Sequence, residues 1–63
     1  MTMNEYINNI AIPALNEEKS EGFVHSAVCV GTQFDVHKVA KEIQTRTGFK
    51  CSACGGTVYV KMI

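Results

Sequence analysis

The sequence predicts an α+β fold: one small domain in which an N-terminal strand precedes a strand-helix-strand unit. A small mixed sheet would carry one helix packed on one face. Three observations predict it. A β-branched run, Phe23 to Val30, is bracketed by Gly22 and Gly31. Apolar residues then recur at the spacing of one helical face between Asp35 and Thr47, and the last seven residues alternate strictly between two sets. The whole of residues 1–63 reads as a single domain, with 1–21 an acidic, partly irregular N-terminal segment and 22–63 the β-α-β unit.

The first twenty residues carry two competing patterns. Thr2-x-x-Glu5 resembles a capping box, and Met3, Ile7 and Ile10 fit a short helix. Ile10 and Ile12 alternate instead, and Pro13 forbids a helix from continuing. The second pattern predicts a strand over 6–12, added antiparallel to the sheet, followed by an exposed polar loop over 16–22. The Phe23–Val30 run reads as a strand. Phe23, His25, Ala27 and Cys29 would form one face and Val24, Ser26, Val28 and Val30 the other, both apolar enough for cover on both sides.

Asp35 occupies an N-cap position. Val36, Val39, Ala40, Ile43 and Thr47 line one face of the following helix, and Gly48 supplies its C-terminal stop. In Thr57 to Ile63, Val58, Val60 and Met62 alternate with Tyr59, Lys61 and Ile63, as in a strand. Strand, helix, strand in this order predicts a parallel pair joined by a right-handed crossover.

Composition narrows the function classes. Hydrophobic residues are 46% and charged residues 19% of 63 residues, a globular balance. A chain of this length buries only about 60% of its unfolded surface, so a metal, a disulfide or a partner subunit is a common support. No apolar run approaches the ~18 residues of a membrane span. Three cysteines and an N-terminus without signal-peptide character predict reduced thiols in a cytoplasm. Residues 1–21 hold four acids against Lys19, a net −3, and residues 22–63 hold five bases against Asp35 and Glu42, a net +3. Either the acidic segment lies across the basic one or a basic face is left for a partner.

Cys51-Ser-Ala-Cys54-Gly-Gly has the form of half a zinc knuckle, two thiols three positions apart before glycines that let amides face them. If the knuckle sits at the base of a crossover, its neighbour is His25, giving a candidate metal set of Cys51, Cys54 and His25. His37 would lie at the far end of the helix, and Cys29 too far up its strand. A symmetric homodimer pairing two such motifs would complete four ligands. The same hexapeptide also fits an ordinary Gly-Gly turn with two incidental thiols and no cofactor. Redox chemistry is disfavoured, because the pair follows a helix C-terminus, where the dipole raises a thiol pKa.

Lys38, Lys41, Arg46 and Lys50 form a basic stripe that could contact phosphates, although no interleaved aromatic set accompanies it. No nucleophile-base-acid constellation and no phosphate-cradling glycine loop is present. The sequence therefore predicts a small non-enzymatic interaction module: an adaptor, inhibitor or regulatory protein, of the kind phages and mobile elements encode, docking on a larger protein. The alternative is a zinc-stabilised nucleic-acid-binding module using the knuckle and the basic helix face.

Overall fold

A computed structural model describes all 63 residues. Its fold is α+β, as the sequence predicts, with three antiparallel strands on one side and two helices on the other. The N-terminal strand is absent. In its place stands one continuous helix, α1, built of an α-helical Met3–Tyr6, a π-helical Ile7–Ala11 and an α-helical Ile12–Ser20.

The capping box decides the start of α1. Thr2 Oγ1 accepts from Glu5 N–H at 3.1 Å, and Glu5 Oε1 accepts from Thr2 N–H at 3.0 Å. Ile7, Ala11 and Leu15 then fall four apart on one face and are almost wholly buried. The alternation of Ile10 and Ile12 is incidental, since Ile10 lies exposed. Pro13 does not stop the helix because the wider turn precedes it. Ile12 N–H donates five residues back to Ile7 C=O, and Pro13 enters at the start of the next α-helical segment, the position at which a helix best tolerates a missing N–H. Residues 16–20, expected as loop, are therefore helical, and only the turn at Glu21 and Gly22 remains of that loop.

Strand β1 spans His25–Cys29, helix α2 Val36–Thr47, strand β2 Lys50–Cys54 and strand β3 Thr57–Lys61. The start and stop of α2 follow the sequence. Asp35 accepts from His37 N–H at 3.0 Å, and Gly48 closes the helix at φ 79°. The strand pairing does not follow it. The sheet order is β1-β3-β2, and β3 runs antiparallel to both neighbours. The last strand is thus not parallel to the first. Gly55 and Gly56, both at positive φ (56° and 79°), make a two-residue hairpin turn that reverses the chain. The crossover does exist, but it joins β1 to β2, and β3 inserts between them as in a split β-α-β unit.

One core of thirteen buried apolar residues unites the elements, from Tyr6 in α1 to Met62 after β3, with no buried polar side chain among them. Both helices share one face of the sheet. The opposite face is open, which corrects the expectation that β1 is covered on both sides. Its apolar composition misled because Ala27 and Cys29 are small enough to stand in solvent. Arg46 ties the helices together, donating to Asn8 at 2.6 Å and to Asn4.

Candidate functional site

The hairpin dismantles the expected knuckle. Cys51 and Cys54 lie on one strand at an odd separation, so their side chains leave opposite faces of the sheet. Cys51 turns toward the helix side and is half-buried, while Cys54 stands on the open face. Three residues of extended strand separate their Cα atoms by about 10 Å, beyond disulfide reach. His25 does not join either thiol. Its row across the sheet is His25, Lys61 and Lys50, whereas Cys54 shares a row with Thr57 and Cys29. No group of three metal-ligating side chains comes together anywhere in the chain. The set of Cys51, Cys54 and His25 is therefore not assembled within one chain, and two copies could not pool both thiols of each pair on one surface.

The topology expected around the pair also inverts. Because β2 doubles back along α2, its later residues approach the start of the helix. His37 and Cys51 both border the groove between α2 and β2. Burial pushes the Cys51 thiol pKa above its ordinary value of 9.0, the direction opposite to that of a reactive thiolate.

The four expected basic residues separate. Arg46 is engaged within the fold, pairing with Glu42 at 3.3 Å besides its two asparagines. Lys38 and Lys41 are exposed on α2, and Lys50 stands on the open sheet face. The Arg46–Glu42 contact is the chain's one ion pair, so no acid of residues 1–21 pairs with the basic residues, although α1 packs against α2. Glu18 instead accepts from Ser26 Oγ at 2.6 Å, holding the end of α1 against β1.

Two surfaces remain available. The first is the free edge of β2. In an antiparallel ladder alternate residues turn their N–H and C=O outward. Cys51 N–H points away from β3 and donates to Gln44 Oε1 at 3.2 Å. The outward set is therefore Cys51 and Ala53, and no side chain meets the backbone groups of Ala53. A groove of about 280 Å³ runs beside this edge, lined among others by His37, Lys41 and Gln44. The edge of β1 is more closed, since Tyr6 Oη donates to the Cys29 carbonyl at 3.3 Å.

The second surface is the open face, three rows of three residues: His25-Lys61-Lys50, Ala27-Tyr59-Ser52 and Cys29-Thr57-Cys54. None of the six acidic residues lies on it, and Tyr59 at its centre is 52% exposed. Lys61, Tyr59, Ser52 and Gln44 did not stand out as site residues in the sequence. The signal for them was the Gly-Gly dipeptide read as a two-residue hairpin, which would have made Lys50–Cys54 a strand and set Lys50 opposite Lys61. No helix is long and apolar enough to cross a membrane. Comparison with protein-family models, curated proteins and solved structures finds no match to this chain.

Proposed function

We propose that this chain is a non-enzymatic docking module, an adaptor, inhibitor or regulatory protein that adds an extended segment of a larger protein to the free edge of β2. One observation carries the reading: the outward backbone groups of Cys51 and Ala53 lie beside an open groove, and only Cys51 N–H has a partner, the exposed side chain of Gln44. A partner strand would replace that side chain and gain main-chain hydrogen bonds, with its alternate side chains entering the groove. His37 and Lys41 line the groove and no acid does. The segment it suits is therefore acidic. A second copy of this chain suits it poorly, because two-fold pairing at β2 would bring Lys41 and His37 toward their own copies.

The test begins with a partner captured from nuclease-treated source cells, identified, purified and titrated against the full chain. Ala53→Pro removes an outward N–H without touching the ladder to β3 and should abolish binding. Lys41→Glu, which leaves the backbone alone, should weaken binding about tenfold. Amide exchange at Ala53 should slow in the complex. Unchanged affinity in both variants would refute strand addition at this edge. The zinc-stabilised nucleic-acid-binding alternative has less support, because its donors stand apart and Arg46 is engaged. Nucleic-acid affinity that collapsed between low and moderate salt would favour it.

A further inference from the structure

One register row of the open sheet face is wholly basic. Lys61 on β3 sits between His25 on β1 and Lys50 on β2, all three side chains on the same face. Adjacent strands lie about 4.8 Å apart, and like charges placed directly opposite one another destabilise a sheet. No acidic residue relieves the row, for none stands on this face and neither lysine nor His25 forms an ion pair. Such an arrangement is unfavourable for the free protein and favourable for an anion bound over it.

The adjoining row supplies a second kind of contact. Tyr59 lies two residues along β3 from Lys61, about 6.8 Å away, with half its surface exposed. Ala27 on one side and Ser52 on the other leave the ring clear of bulky neighbours. Lys50, Lys61, His25, Ser52 and Tyr59 border one shallow depression of about 370 Å³, at the low end of the size range of small-ligand sites.

We propose that this depression binds a nucleoside phosphate. The phosphoryl oxygens would rest on Lys50 and Lys61, with His25 able to donate from the third strand, while the base stacks on Tyr59 and Ser52 Oγ offers a hydrogen bond. A carboxylate-bearing peptide would use the basic row and leave the ring idle. An extended single strand would require further exposed rings in step along the strands, and within β1, β2 and β3 Tyr59 is the one ring, the exposed Phe23 lying before β1. The fit is to a single nucleotide unit. The site lies on the open face, so it stands or falls separately from strand addition at the β2 edge.

The full chain, labelled for NMR, is titrated with AMP, inorganic phosphate and adenosine at matched ionic strength. AMP should shift the amides of Lys50, Ser52, Tyr59 and Lys61 and bind tighter than either fragment. Tyr59→Ala should weaken AMP about tenfold and leave inorganic phosphate unchanged. Lys61→Met should weaken both about tenfold, and it should raise the thermal midpoint at low salt by relieving the repulsive row. If Lys61→Met fails to fold, Lys61→Gln and Lys50→Gln serve the same comparison. AMP binding no tighter than adenosine or phosphate, or shifts confined to other residues, would overturn the proposal. So would an eight-residue oligouridylate that bound more than about a hundredfold tighter than AMP, which would make the face a strand platform.

Discussion

Gly56 shows how one residue can fix the relation between distant segments. It holds φ at +79°, and its carbonyl accepts from both Val30 and Gly31 N–H at 2.9 Å, joining the hairpin tip to the end of β1. A Cβ there would sit 3.2 Å from the Gly31 carbonyl oxygen, while one at Gly55 would meet nothing. Gly56→Ala should therefore cost about 1–2 kcal/mol or more, and Gly55→Asn, which tolerates the left-handed region, only a few tenths. Urea unfolding of the two variants checks the difference, and equal losses would contradict it. Cys51 makes the second prediction at this scale. Burial raises its pKa from 9.0, so folding favours the neutral thiol. That contribution is complete below the unfolded pKa and is lost as pH rises through the folded one. Tyr6 behaves alike above its ordinary 10.0, first through burial and then through the charge on Cys29. Stability should hold near neutrality and fall above about pH 9, less steeply in Cys51→Val. A thiol-disulfide probe at pH 8 should label exposed Cys29 and Cys54 about tenfold faster than Cys51.

Among the elements, legibility tracks how local the determining physics is. Helix α2 was readable because its cap, its apolar face and its glycine stop all lie within fourteen residues of each other. Strands β1 and β3 were readable from β-branched runs and alternation. Helix α1 was not, because two patterns overlapped. Pro13 argued against a helix, and nothing local announced the π turn that accommodates it. Strand β2 was lost for another reason. Cys51 and Cys54 drew the segment toward a metal-site reading, although Gly55 and Gly56 carried a hairpin signal of equal sharpness. That one substitution of turn type reversed the direction of the last strand. It placed Cys54 in one row with Cys29, across Thr57, and set Lys50 against Lys61. The candidate site was misplaced with it, since side-chain neighbours across a sheet depend on register, which no single segment specifies.

At the scale of the whole molecule the two helices form one layer backed by the core, and the sheet presents a basic open surface on the other side. That segregation requires α1 to be part of the fold. Leu15 and Ile7 are fully buried, and α1 closes the core from the side opposite the open face. The cross-links to α1 are otherwise polar or aromatic: Arg46 to the two asparagines, Glu18 to Ser26, Tyr6 against Phe34 with ring centroids 5.4 Å apart, and Lys19 over Phe49 at 5.0 Å. An acidic N-terminal segment lying loosely on the surface would tolerate loss of one apolar side chain. An integral helix would not. Leu15→Ala should cost about 2–5 kcal/mol through lost burial and a residual cavity. A domain of 63 residues has roughly 3–9 kcal/mol in total at 0.05–0.15 kcal/mol per residue. The variant should therefore be largely unfolded or close to it at 37 °C, seen as a lowered urea midpoint with an unchanged m-value or as a collapsed thermal transition. Lys61→Met, on the opposite face, should be stabilising in the same assay at low salt. A Leu15→Ala loss below about 1 kcal/mol would place α1 outside the cooperative unit, and the two-layer architecture would then reduce to the sheet and α2 alone.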